Sequence, residues 1–256
     1  RGQATRDWTL QLPARLIHVD WREEAIGHNY PAELGIVDDA ANAIRELAAR
    51  IPPAEARPEV AATVAAAKRA IREGAEAQNP ALVAIADKLR EALPRDGILV
   101  ADATILTYQV LNRTTPIFEP GGLIFPSSYA IGPSLPLAIG AKLGAPGRKV
   151  VQVAGDGGYM LNASELATAA QERVPIVSVV INDGGYGILR MLQQLRYEAR
   201  HIGVDLHTPN FAAIAEAFGI AGVRVGDAMS LGDELALALR ADEPRLIEVD
   251  MKAMTS

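Results

Sequence analysis

Two aspartates stand in glycine-rich turns one strand-helix-strand unit apart: Asp156 in Gly155-Asp156-Gly157-Gly158, and Asp183 in Asn182-Asp183-Gly184-Gly185. If the strands feeding the turns are neighbours, the two carboxylates lie about 5 Å apart. At an effective dielectric of about 20 they repel by roughly 3 kcal/mol, so a cation belongs between them. Hard oxygen donors favour magnesium or calcium, and magnesium characteristically combines one or two carboxylates with substrate phosphates. Glycine suits the same partner, because without a Cβ the backbone can approach phosphate oxygens and offer its N–H groups. The pair therefore reads as a divalent-metal site holding a diphosphate. Two other phosphate signatures fail: Met160 stands where G-x-G-x-x-G needs its last glycine, and no G-x-x-x-x-G-K-[ST] occurs.

The flanking segments can position such a site. Residues 148–154 (RKVVQVA) and 175–182 (PIVSVVIN) are short, β-branched, nearly continuous apolar runs, as expected of parallel strands buried on both faces. Residues 162–173 between them read as a helix, with Asn162 as N-cap, Glu165 as its capping-box partner, and Leu166, Ala169 and Ala170 at helical spacing. A right-handed βαβ unit results, with both aspartates at carboxyl ends of strands, where open α/β sheets bind ligands. A further buried strand, 98–102 (ILVAD), brings Asp102-Ala103-Thr104 to the same edge. Helices at 210–218 and 230–240 and strands at 222–225 and 245–250 complete an alternating α/β domain.

The Gly155-Asp156-Gly157 turn, followed by a helix, a strand and Asn182-Asp183, resembles the cofactor motif of thiamin diphosphate-dependent enzymes acting on 2-oxo acids. Residues 129–140 (YAIGPSLPLAIG) are similar to a second stretch of that family, of the acetolactate synthase and benzoylformate decarboxylase type. The resemblance implies a parallel sheet with helices on both faces. It implies magnesium held by Asp156, Asp183 and the Gly185 carbonyl, with Asp183 replacing the usual asparagine. Thiamin diphosphate would be contacted by Thr104, Gly155, Gly157, Gly158, Tyr159, Tyr186 and Gly187. Ile131 would prop the cofactor in its bent form while the Tyr129 carbonyl meets its aminopyrimidine, and Ile188, Leu189 and Leu192 would shape a substrate wall. The implied chemistry is a thiazolium carbanion attacking a 2-oxo acid, loss of carbon dioxide, then carboligation as in acetolactate synthase. Simple decarboxylation and a noncatalytic cofactor-binding module are the alternatives.

Before residue 79 the likeness is looser. Residues 15–20 (RLIHVD) read as a buried strand, 34–37 as another, and an Asp38-capped helix runs to Pro52-Pro53. Residues 1–52 thus resemble the end of the family's central domain, 53–78 a helical linker, and 79–256 the diphosphate-binding domain opened by Asn79-Pro80. Two strands and one helix are too little for an independent core. The activating glutamate of the family belongs to a pyrimidine-binding domain, in many members from another subunit. None of the 31 acidic residues matches it, so no catalytic residue is assigned and the chain alone is expected to be inactive. His18, His28, His201 and His207 carry no recognisable catalytic context; His201 or His207 could belong to a lid.

Composition sets limits. With 49% hydrophobic and 22% charged residues and a net charge of -6, the chain suits a cytoplasmic enzyme and not a nucleic-acid surface. The absence of cysteine excludes disulfides, thiolate metal sites and cysteine nucleophiles. No apolar run reaches membrane-spanning length. A homodimer or homotetramer is expected from the family, and bound FAD is compatible with it.

Overall fold

The computed structural model describes residues 9–12, 15–53, 57–126 and 130–255. Two compact units divide the chain, Arg1–Ala61 and Ala62–Ser256. In the first, β1 (Ile17–Asp20) pairs in parallel with β2 (Leu34–Val37), followed by α1 (Ala40–Arg50). Asp39, not Asp38, caps that helix, its carboxylate accepting from Ala41 and Asn42 N–H. The β1 strand is not buried as expected. Ile17 is 52% exposed, and Ala43 is the one hydrophobic residue of this unit, among those described, that counts as core. Four-residue strands in a single pair have too little facing surface to bury more.

The second unit carries the site. Helix α2 (Pro58–Gln78) leads to α3 (Pro80–Ala92), and the Arg72 guanidinium forks onto Asp87 at 2.7 Å through both terminal nitrogens, joining the two helices. Proline at the first position of α3 loses no hydrogen bond, because that N–H has no partner within the helix. Six strands follow: β3 (Ile98–Ala101), β4 (Leu123–Ile124), β5 (Val150–Gly155), β6 (Ile176–Asn182), β7 (Ala221–Val225) and β8 (Arg245–Asp250). All are parallel, in the order β4-β3-β5-β6-β8-β7.

Alternation along the strands sorts side chains into two cores. Leu99, Val151, Val153, Val177, Val179 and Ile247 meet α3 and α8 (Ala228–Arg240) on one face. Ile98, Val100, Val150, Ile176, Val180 and Leu246 meet α4 (Ser134–Gly144), α5 (Leu166–Gln171) and α7 (Phe211–Ala217) on the other. Each such side chain contributes about 1.5–3 kcal/mol by leaving water, which makes the two central strands the rigid part of the molecule. The sequence placed these strands within two residues of their bounds.

The helix after Asp156 differs from its expected form. Ala163–Glu165 is a 3-10 turn, and the α-helix starts at Leu166. Asn162 caps nothing; its Nδ2 donates to the Gly132 carbonyl at 3.0 Å, while Glu165 accepts from the Thr168 hydroxyl. A tertiary acceptor has won over the local capping box.

The chain leaves β3 toward the β4 edge, but leaves β5 toward β6. The reversal between β3 and β5 is the topological switch point at which open sheets of this kind hold ligands.

Candidate cofactor and metal site

Strand register brings the two acidic turns together. Gly155 pairs with Ile181 across β5 and β6, so Asp156 follows directly after β5 and Asp183 directly after Asn182, the last residue of β6. The ends of β3, β5 and β6, with Ile131 among the lining residues, border one cleft. Thr104, Ile131, Gly155, Asp156, Gly157, Gly158, Asp183, Gly185, Tyr186, Gly187 and Ile188 all line it. Tyr159 does not: it lies beneath, 1% exposed, its ring edge-on to Phe211. Tyr129 lies outside the described residues. Leu189 and Leu192 belong to α6 (Gly187–Arg196), which leaves the cleft at Ile188.

Asp156 is fully buried and held by backbone. Its Oδ1 accepts from Gly157 N–H at 2.6 Å, and its Oδ2 from Gly184 and Gly185 N–H at 2.8 and 3.0 Å. Burial pushes this carboxyl above its ordinary value, while those N–H groups pull it back. Asp183 has less support. Its Oδ1 is buried without a hydrogen-bond partner. Burial, then the negative charge of Asp156, push the carboxyl up to about 6, against the opposing cation of Arg190.

An orphaned buried carboxylate oxygen is a costly feature for a fold to keep unless a ligand meets it. Gly187 adds a second sign of accommodation, because a Cβ there would overlap Asp183 Oδ2. Among the described residues no group of three or more histidine, aspartate or glutamate side chains could hold a metal. An ion bound here would need backbone and ligand oxygens besides two carboxylates, which is the habit of magnesium rather than zinc. The donor set therefore fits a magnesium–diphosphate group, with Asp156, Asp183 and the Gly185 carbonyl as the chain's share. We expect Gly187→Ala to weaken metal-dependent diphosphate binding more than about tenfold and to cost about 1–3 kcal/mol through overpacking. Gly140→Ala, whose Cβ would meet nothing within 4 Å on helix α4, serves as the control and should stabilise slightly. Calorimetry and thermal melts of the two variants decide this.

Three further residues build the site: the sequence brought Asp102 to the sheet edge without a role and did not single out Glu248 or Arg190. Asp102, fully buried at the end of β3, accepts from Ala103 and Gly132 N–H at 2.7 and 2.9 Å through Oδ1, and from Gly132 and Ser134 N–H at 3.0 and 3.3 Å through Oδ2. It thereby fixes the loop carrying Ile131. Gly132 sits at φ +100, a conformation that a side chain would strain. Glu248, fully buried on β8, accepts from Asn182 Nδ2 at 2.8 Å and from Phe211 and Ala212 N–H at 2.9 and 3.3 Å. Asn182 also accepts from Thr208 Oγ1 at 3.0 Å. The first residue of the Asn182-Asp183 pair is thus a structural staple. A lone glutamate inside an otherwise apolar strand was the available signal. The third is Arg190, treated below. Thr104 lines the cleft, but its hydroxyl is engaged locally with Thr107, accepting from its N–H at 3.1 Å and meeting Thr107 Oγ1 at 3.1 Å.

An open parallel sheet with an acidic, glycine-rich cleft at its switch point is the arrangement of a ligand-binding α/β protein. The family model described as thiamine pyrophosphate enzyme, C-terminal TPP binding domain, matches residues 107–249, more than half of the chain. Acetolactate synthase of Bacillus subtilis (strain 168) is 30% identical over 253 residues, covering 94% of this chain and 43% of that protein. A probable 2-ketoarginine decarboxylase of Pseudomonas aeruginosa is 35% identical over 240 residues, with coverages of 91% and 42%. Among solved structures, the thiamine diphosphate-dependent 4-hydroxybenzoylformate decarboxylase of Rhodococcus jostii RHA1 superposes with a TM-score of 0.74 at 26% identity, over 93% of this chain and 44% of that one. The chain belongs to the thiamin diphosphate-dependent 2-oxo acid enzyme family and carries its C-terminal cofactor-binding domain. It spans about two fifths of the length of these relatives.

Proposed function

We propose that this chain is the thiamin diphosphate- and magnesium-binding portion of an acetolactate synthase-like enzyme that decarboxylates a 2-oxo acid and transfers the fragment to a second carbonyl. The observation that carries the metal half of this reading is the pair of aspartates on adjacent strand ends, Asp156 fully buried and Asp183 half-buried with an orphaned Oδ1. The cofactor, when bound, supplies the electron sink for decarboxylation. The chain's own residues bind and orient: Asp156, Asp183 and the Gly185 carbonyl hold the ion, the side-chain-free glycines of the two turns let the diphosphate approach the backbone, and Ile131, fixed through Asp102, meets the ring system. The apolar side chain of Ile188, which lines the cleft, excludes water from the substrate side. A pyrimidine-binding domain, supplied by an upstream region or by another subunit of a homodimer or homotetramer, completes the reading. No helix among the described residues is long and apolar enough to cross a membrane.

Calorimetry tests the binding half. Thiamin diphosphate should bind in the presence of magnesium and lose its affinity in EDTA; equal binding in the two conditions would remove the reading. A simple decarboxylase is the second reading, favoured by the identity to the 2-ketoarginine decarboxylase and by the solved decarboxylase structure. Product analysis with pyruvate in an assembly containing the pyrimidine-binding partner separates them, acetolactate for one and a free aldehyde for the other.

A further inference from the structure

Helix α6 does more than border the cleft. From one face it grips residues 202–206, which fold back over the metal turn. Gln193 holds Ile202 in both directions: its Nε2 donates to the Ile202 carbonyl at 3.1 Å, and its Oε1 accepts from Ile202 N–H at 2.9 Å. Arg190, three residues earlier on the helix, places Nε and Nη2 on Asp205 Oδ1 at 3.1 and 2.8 Å, with Nη2 also 3.5 Å from the carbonyls of Gly184 and Val204. The returning segment pairs antiparallel with the turn itself, Gly185 opposite Asp205. Tyr186 N–H donates to Val204 at 2.8 Å, and Leu206 N–H to Gly184 at 3.0 Å. Gly185 lies so close that a Cβ would stand 2.7 Å from Arg190 Nη2.

One guanidinium therefore touches both edges of a two-stranded patch whose middle residue is Gly185. We propose that Arg190 is a positioning residue for the metal site: by stapling residues 204–206 to the Gly184–Tyr186 turn, it fixes the Gly185 carbonyl in ligand position beside Asp156 and Asp183. The charge has a use in the same place. Arg190 and Asp183 border the same polar cleft behind the turn, so a cation stands near the aspartate that replaces the family's asparagine. The Asp205 partner is 80% exposed, and exposed pairs contribute little by themselves. Nη2 alone reaches Asp205 and, at 3.5 Å, both carbonyls, while Nε also meets Asp205, an arrangement that lysine cannot reproduce in full.

The inference rests on the magnesium reading above, and the test separates the two. Magnesium titrations of thiamin diphosphate binding, thermal melts and amide exchange are compared for the unmodified chain, Arg190→Met, Arg190→Lys and Asp205→Asn. Groups that orient metal ligands affect affinity by about 10–100-fold. Arg190→Met should therefore raise the half-saturating magnesium concentration about tenfold, with Arg190→Lys recovering part of that and Asp205→Asn showing a smaller rise. Exchange at the Tyr186 and Leu206 amides should quicken in Arg190→Met while β6 amides and the melting temperature hold. An unchanged magnesium requirement in Arg190→Met, or a rise matched by a general loss of stability that lysine does not relieve, overturns the proposal. Should Arg190→Met not fold, Arg190→Lys and Asp205→Asn decide by the same readouts. Failure of the underlying magnesium reading looks different: the unmodified chain would itself show no metal-dependent binding, while the two amides still respond to Arg190→Met.

Discussion

Asp156→Ala is expected to abolish metal-dependent binding of thiamin diphosphate, by on the order of 100-fold or more, since even groups one step removed from a metal cost 10–100-fold. The variant removes a ligand and also releases the three N–H groups of Gly157, Gly184 and Gly185 that the carboxylate now holds. A donor left unsatisfied costs about 1–3 kcal/mol where water cannot reach it. Some of that loss is offset, because the fold no longer buries a charge whose carboxyl it already pushes upward. Binding should therefore suffer more than stability. Titration with and without EDTA, beside a thermal melt, reads both, and an Asp156→Ala chain that binds like the unmodified one ends the metal assignment.

Asp183→Asn is expected to change the pH profile. With its carboxyl raised to about 6 from an ordinary 3.8, metal-free folded chain holds a proton between those values that unfolded chain has released. Stability of the metal-free protein contributed by this group is present at low pH and is lost as pH rises through about 6. Metal affinity runs the other way, because ion and proton compete for one oxygen site. Affinity should fall roughly tenfold per pH unit below 6. The asparagine variant has no such proton, so the difference between the two profiles isolates the group. Identical slopes for the two proteins between pH 5 and 7 would refute the assignment of that titration to Asp183.

Much of this was legible in the sequence where the physics is local. Continuous β-branched runs gave β5 and β6 because burial on both faces leaves no room for alternation, and strands that end in Gly155 and Asn182 put Asp156 and Asp183 at one sheet edge. What escaped depended on distant partners. Asn162 has a good capping sequence, yet its amide serves Gly132 thirty residues earlier. Tyr159 follows the glycines of the turn directly, but the short helix Asp156–Tyr159 turns its ring under the sheet edge toward Phe211. Asp102 and Glu248 act through backbone groups thirty or more residues away, and Arg190 through Asp205 and the carbonyls of a turn and a returning segment; no spacing rule announces such contacts. The amino-terminal strand was placed correctly but its burial was not, because a hydrophobic run says nothing about whether a facing layer exists.

The backbone cradle around Asp156 bears on which ion the site would accept. A carboxylate pinned by three N–H groups, two of them from a turn that Asn182 ties to Glu248, has little freedom to swing outward for a larger guest. Calcium is served by pliable donors at longer range, magnesium by short and regular ones. On the magnesium reading proposed above, the ion would meet a carboxylate already held in place. Discrimination between the two metals should follow from the stiffness of the turn rather than from the charge of its aspartates.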